Sequence, residues 1–105
     1  MAIKKTLRAA ANARGKGMTM QAMQSAPRDA VYVWCNAHSS YAKALARALG
    51  RSDLRIETPG WLEYRYEGVR VPIVIDHALV GNMSARQQAG YAQASMALAA
   101  MGVAS

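Results

Sequence analysis

Residues 30–35 read AVYVWC, an apolar run rich in β-branched and aromatic side chains that lies between Asp29 and Asn36. A strand with one face in solvent alternates polar and apolar residues, whereas a strand covered on both faces is apolar throughout. The run therefore predicts a strand at the centre of a sheet. Residues 69–76 (VRVPIVID) predict another buried strand, because their Ile-Val-Ile core is again continuous.

The residues between these two strands predict a helix and a shorter strand. Residues 41–49 place Ala and Leu at the spacing of an amphipathic helix, with Ser39 or Ser40 as its cap and Gly50 as its stop. Residues 54–57 then predict a short strand. The order strand, helix, strand is typical of an α/β unit with a parallel sheet.

The stretch WLEYRY at residues 61–66 fits two structures. Its alternation predicts a strand that pairs, through the turn at Glu67-Gly68, with the strand that follows. A single helical turn between two parallel strands also fits. We favour the hairpin.

A long helix is predicted near the end of the chain. Ser84 and Gln87 have the spacing of a capping box, the helix runs over residues 85–101, and Gly102 stops it. One of its faces carries small and flexible apolar residues: Ala85, Ala89, Ala92, Met96 and Ala99. The elements together predict an α/β fold with a small, mainly parallel sheet of three to four strands flanked by helices.

Composition excludes several classes of protein. The 105 residues are 52% hydrophobic and 18% charged, which is typical of one folded domain and not of a disordered chain. The single cysteine, Cys35, excludes an internal disulfide, and neither a signal-peptide core nor an apolar run of about 18 residues is found. We therefore expect a cytoplasmic protein that does not contact a membrane.

Positive charge is concentrated near the start of the sequence. The chain has 13 Lys and Arg against 6 Asp and Glu, a net charge of +7. Residues 1–29 hold six basic residues and one acid, whereas residues 30–105 hold seven and five. This pattern predicts a basic arm on a nearly balanced α/β body, within a single domain, and indicates a polyanionic partner or a role in solubility.

The arm is predicted to consist of two helices. The first covers residues 2–13 and is ended by the glycines of residues 15–17. The second starts at Thr19 as N-cap and stops at Ala26, before Pro27.

Nucleic acid or a nucleoprotein is the partner that the basic residues favour. In addition to the arm, one helix places three cations at i, i+4 and i+8, on a single solvent-facing line. The predicted phosphate-binding residues are Lys4, Lys5, Arg8, Arg14, Lys16, Lys43, Arg47 and Arg51. We expect a non-enzymatic binding protein that requires no cofactor.

Aromatic and methionine side chains suggest an alternative, an inhibitor or adaptor that docks on a host protein. The candidates for base stacking or docking are Trp61, Tyr64, Tyr66, Met20 and Met23. The same aromatic residues fit the cover of a sheet face, and the methionines fit the packing of a helix onto the body. The Ala-rich helix also permits close approach of another helix, either from within the chain or from a second copy in a homodimer.

A second alternative is a metal-dependent or thiol-dependent enzyme. The ends of the two main strands carry Cys35, His38, Asp76 and His77, which converge if the strands are neighbours. The C-x-x-H spacing is only half of a zinc signature. We therefore favour a structural cysteine and hydrogen-bonded histidines, with no metal bound.

The stretch GVRVPIVIDHALV at residues 68–80 resembles the Walker B strand of P-loop NTPases and helicase-like domains, and the resemblance extends over residues 30–80. It implies an α/β unit in which Asp76 holds the water shell of a magnesium ion. The phosphate-binding loop G-x-x-x-x-G-K-[ST] is missing, since Cys35 is followed by NAHSSYAK. In composition the chain resembles small accessory proteins of bacteriophages and mobile elements.

Overall fold

The structure, a computed structural model, describes residues 17–64 and 69–102. In chain order its elements are α1 (Gly17–Ser25), β1 (Val31–Val33), α2 (Ser40–Ala48), β2 (Arg55–Glu57), α3 (Trp61–Tyr64), β3 (Ile73–Ile75), α4 (His77–Val80) and α5 (Ala85–Ala100). The predicted helix over residues 2–13 lies outside the described residues.

β1 is the central strand of a parallel sheet, as its apolar run predicts. The strand order is β2-β1-β3, and both neighbours run parallel to β1. Tyr32 of β1 lies opposite Ile56 of β2 and Val74 of β3. The α/β class and a three-stranded parallel sheet flanked by helices are confirmed.

The side chains of residues 31–34 alternate between two separate hydrophobic cores, one on each face of the sheet. Tyr32 and Trp34 pack with buried residues of α1 and α2 on one face of the sheet. Val31 and Val33 pack with buried residues of α3, α4 and α5 on the other face. Because helices cover both faces, every residue of β1 is buried.

α1 is packed into the first of these cores. Met20 is 6% exposed and Met23 is fully buried, so neither is available as the docking residue that the sequence suggested. Thr19 lies in the first turn of a helix that begins at Gly17, so its predicted N-cap role is wrong. Its side chain is buried and bonds to another element instead.

The predicted hairpin at residues 61–66 is wrong, because Trp61–Tyr64 forms the helical turn α3. The turn is closed by bonds from the N–H groups of Trp61 and Leu62 to the carbonyls of Thr58 and Pro59. Trp61 and Leu62 are both buried against the second core. Adjacent side chains of a strand point to opposite faces, so a strand would have exposed one of the two.

α5 has the predicted caps but buries a different face from the small-residue stripe. The Ser84 hydroxyl accepts a bond from the Gln87 N–H, and the Gln87 side chain accepts one from the Ser84 N–H. The buried residues are Gly90, Ala94 and Leu98, and the last two belong to the second core.

The small-residue stripe of α5 is therefore exposed; it consists of Ala85, Ala89, Ala92, Met96 and Ala99.

Within residues 17–64 and 69–102, no helix combines the length and the apolar character needed to cross a membrane.

Candidate nucleic-acid interface

α2 carries the two exposed cations that the structure places side by side. Its Ala42, Leu45 and Ala46 face the core, which turns Lys43 and Arg47 outward. These two residues are separated by one helical turn, about 6 Å along the helix axis. We refer to them as the Lys43–Arg47 surface.

A shallow cavity of about 220 Å³ lies under the Lys43–Arg47 surface, between α2 and the edge strand β2. Its lining consists of Lys43, Ala46, Arg47, Ser52, Leu54 and Ile56, and so contains two cations, one hydroxyl and no acid. Within the described ranges, no carboxylate forms an ion pair with either cation. Their charges are therefore open to a group from outside the fold.

Arg51, the third residue of the predicted basic line, is used inside the fold. Its guanidinium forms two bonds of 3.0 Å to the carboxylate of Asp53. It also donates to the carbonyls of Met23, Gln24 and Pro27, at the end of α1 and just beyond it. Arg51 therefore ties the end of α1 to the loop that follows α2.

The electrostatics of this ion pair agree with its geometry. The hydrogen bond to Asp53 raises the pKa of Arg51 above its usual value. The same bond, together with the N–H of Asp29, lowers the pKa of Asp53 well below its usual range. Both groups are charged at neutral pH, and Arg51 is only 17% exposed. Little of its charge is available to a ligand.

A buried polar cluster, which we call the Asp76 cluster, lies at the carboxyl ends of β1 and β3. Asp76 is 0% exposed and caps α4, because its carboxylate accepts a bond from the N–H of Ala78. Its Oδ1 accepts a 2.5 Å bond from the hydroxyl of Tyr32 and a 3.0 Å bond from Thr19. Three donors from α1, β1 and α4 thus compensate one buried carboxylate.

Burial of the cluster affects Tyr32 most. Desolvation, with the hydrogen bond to Asp76 as the second cause, raises the pKa of Tyr32 far above its usual value. The phenol therefore stays protonated and keeps its bond to the carboxylate. The resemblance to a Walker B strand implies that Asp76 holds the water shell of a magnesium ion, whereas here both of its oxygens accept bonds from the protein.

His77 lies at the rim of the Asp76 cluster and is partly exposed. Its Nδ1 is 3.4 Å from the Thr19 hydroxyl and 3.9 Å from Asp76 Oδ1. Because the Thr19 hydroxyl donates its proton to Asp76, its oxygen is left to accept in the contact with Nδ1 of His77.

The predicted convergence of Cys35, His38, Asp76 and His77 is not found. In the described part of the chain, no three Cys, His, Asp or Glu side chains are grouped in a way that would hold a metal ion. Cys35 is half-buried and packs between the two cores. His38 is exposed in the loop after β1, where its N–H donates to the side chain of Asn36.

The aromatic candidates have different environments. Trp61 is 3% exposed, whereas Tyr64 is 69% exposed and its hydroxyl accepts a bond of 3.4 Å from Arg86. Tyr66 lies outside the described residues, as do the predicted phosphate-binding residues Lys4, Lys5, Arg8, Arg14 and Lys16.

Sequence reasoning missed three residues that shape these sites. Thr19 and Tyr32 are the partners of Asp76, and Ser52 supplies the hydroxyl beside the Lys43–Arg47 surface. A tyrosine inside an otherwise aliphatic buried strand is the one available signal, because a buried phenol needs a partner. Comparison with protein families, with curated proteins and with solved structures finds no match to this chain.

Proposed function

We propose that this chain is a non-enzymatic binding protein of the cytoplasm that holds nucleic acid, free or in a nucleoprotein, through phosphate contacts at the Lys43–Arg47 surface. The observation that carries the proposal is the pair of exposed cations, one turn apart, above a cavity that has no acidic lining. A nucleic acid offers a continuous row of phosphates, and release of its counterions drives binding to such cations.

The acidic residues of the described fold support this assignment because most of them are compensated. Asp53 pairs with Arg51, and Glu57 pairs with Arg55. Asp76 is buried and bonded to neutral donors. Among the described residues, only Asp29 and Glu63 are then left without a cationic partner or full burial.

The basic residues of the arm enter the proposal through the sequence alone. Lys4, Lys5, Arg8, Arg14 and Lys16 lie outside the described residues, and the sequence contains no acid among residues 1–28. We propose that they add further phosphate contacts to those of the Lys43–Arg47 surface.

The two alternatives have less support. Docking on a host protein was to use Met20 and Met23, which are buried, and an aromatic hairpin, which is a helical turn instead. Chemistry at Asp76 would need a carboxylate that a substrate can reach, but this side chain is 0% exposed. The accessory role suggested by the composition remains compatible with a nucleic-acid partner.

The test compares two double variants of the full chain in a fluorescence anisotropy titration with a labelled oligonucleotide. Lys43→Gln with Arg47→Gln removes the proposed contacts, whereas Arg28→Gln with Arg70→Gln removes the same net charge at exposed positions that do not line the cavity. We expect the first variant to bind about 5- to 30-fold more weakly at low salt, and the second to bind nearly as well as the wild type.

Two results would contradict the proposal. Equal losses in the two double variants would mean that net charge alone attracts the oligonucleotide. The absence of binding by the wild-type chain at low salt would exclude nucleic acid as the partner.

A further inference from the structure

A second cavity, of about 260 Å³, lies at the carboxyl end of β2. It is lined by Glu57, Thr58, Gly60, Trp61 and Tyr64, and we call it the Tyr64 cavity. The carboxyl ends of the strands are where open parallel sheets bind their ligands. The volume is below the roughly 300–1,000 Å³ of cavities for drug-sized ligands, so it suits one ring system and not a whole nucleotide.

The chemistry of the Tyr64 cavity favours a planar ring. Tyr64 offers an exposed aromatic face. Trp61 lines the same cavity, so two aromatic residues of α3 border it. Aromatic side chains stack on planar rings.

Charge in the Tyr64 cavity is balanced, which suits a neutral ligand. The carboxylate of Glu57 accepts a hydrogen bond from Arg55. The guanidinium of Arg55 also lies 5.9 Å from the centroid of the Trp61 ring. A neutral heterocycle can therefore enter without leaving a carboxylate uncompensated.

The two cavities lie on opposite sides of the same strand. Ile56 lines the cavity under the Lys43–Arg47 surface, and Glu57, the next residue, lines the Tyr64 cavity. Consecutive side chains of a strand project to opposite faces of the sheet. In the described part of the chain β2 is an edge strand, so a flexible polymer can pass around it from one cavity to the other.

We propose that the Tyr64 cavity holds one unstacked nucleobase, so that this protein binds single-stranded nucleic acid in preference to a duplex. The inference rests on the proposed function, because contacts between phosphates and the Lys43–Arg47 surface are what attract the nucleic acid to the protein. Tyr64, whose side chain is exposed, stacks on the base. A base within a duplex is stacked and paired, and entering the cavity would require it to be flipped out first.

The experiment measures binding of a labelled 12-mer and of its duplex to the full chain and to two variants of Tyr64. Tyr64→Ala removes the ring, and Tyr64→Phe keeps the ring while removing the hydroxyl that bonds to Arg86. We expect the single strand to bind more tightly than the duplex. We also expect Tyr64→Ala to weaken single-strand binding by about 5- to 100-fold and Tyr64→Phe to bind like the wild type.

The failures of the two proposals are distinguishable. If Tyr64→Ala binds the single strand like the wild type while Lys43→Gln with Arg47→Gln still weakens it, the base-binding cavity is excluded and the phosphate surface remains. Equal affinity for single strand and duplex also overturns the cavity assignment. If neither form binds to the wild-type chain, both proposals fail. Because Tyr64 is largely exposed, its variants are expected to fold, and a far-ultraviolet spectrum checks this.

Discussion

The charged groups of the Asp76 cluster and of the Lys43–Arg47 surface have opposite environments. Asp76 is 0% exposed, and donors from α1, β1 and α4 surround its carboxylate. Lys43 and Arg47 are exposed, and no carboxylate of the described residues pairs with them. The buried charge is fully bonded within the fold, whereas the exposed charges are open to other molecules.

This difference separates residues that stabilise the fold from residues that bind. Arg51 belongs to the residues that stabilise the fold, although it follows Lys43 and Arg47 at the same spacing in the sequence. Its guanidinium bonds to Asp53 and to three carbonyls. Spacing along a helix therefore does not decide the role of a cation. The role is decided by the groups that lie next to the cation in the folded chain.

The largest effect is expected from Asp76→Asn. The amide can still accept bonds from Tyr32 and Thr19, but its NH₂ group replaces the oxygen that accepts from the N–H of Ala78, so two donors face each other. We expect the free energy of unfolding to fall by about 3 kcal/mol or more, measured by urea denaturation.

Asp29→Asn is the matched control for this substitution. Asp29 is exposed and has a φ of +63°, a conformation that asparagine also adopts readily. Its replacement is expected to change stability by less than about 0.5 kcal/mol. Equal midpoints of denaturation for the two variants would show that the Asp76 cluster contributes nothing special to the fold.

An intermediate effect is expected from Arg51→Gln. The shorter, neutral side chain cannot reach both Asp53 and the carbonyls at the end of α1, which lose their partner. We expect a loss of about 1–3 kcal/mol in the same denaturation experiment. If Arg47→Gln proves as destabilising as Arg51→Gln, the distinction between the two arginines is wrong.

An effect that is absent at neutral pH is a pH dependence of stability that arises from Tyr32. Burial raises its pKa, so above about pH 10 the folded chain keeps a proton that the unfolded chain releases. The contribution of the Tyr32 phenol to the free energy of unfolding is therefore fully present below about pH 10. It falls as the pH rises further, by about 1.4 kcal/mol per pH unit.

The measurement compares urea denaturation of the wild type and of Tyr32→Phe between pH 9 and 11. Phenylalanine has no proton to lose, so its stability should fall less steeply with pH by the equivalent of one proton. Identical slopes for the two proteins would mean that the Tyr32 phenol ionises as readily in the folded chain as in the unfolded one.

Local patterns predicted those parts of the fold that depend on neighbouring residues. The run at residues 30–35 predicted the central strand, and the capping box at Ser84 and the stop at Gly50 were also correct. Gly50 adopts a φ of +74° just after α2, a conformation that favours glycine.

Contacts between distant residues were beyond prediction from sequence. Thr19 and Asp76 are 57 positions apart, and no local pattern relates them. The alternation in residues 61–66 suggested a strand. Burial of Trp61 and Leu62 in the same core favours a helix, and that burial depends on α5 being present to cover them. The direction of Arg51 likewise depends on where α1 ends.

The most direct test of the account is the salt dependence of oligonucleotide binding. In a plot of the logarithm of the association constant against the logarithm of salt concentration, each phosphate contact to a single strand adds about 0.7 to the slope. Lys43→Gln with Arg47→Gln should therefore reduce the slope by about 1.4 relative to the wild type, while Arg28→Gln with Arg70→Gln leaves it unchanged. Equal slopes for the two double variants would contradict the claim that the Lys43–Arg47 surface is a specific site of phosphate contact.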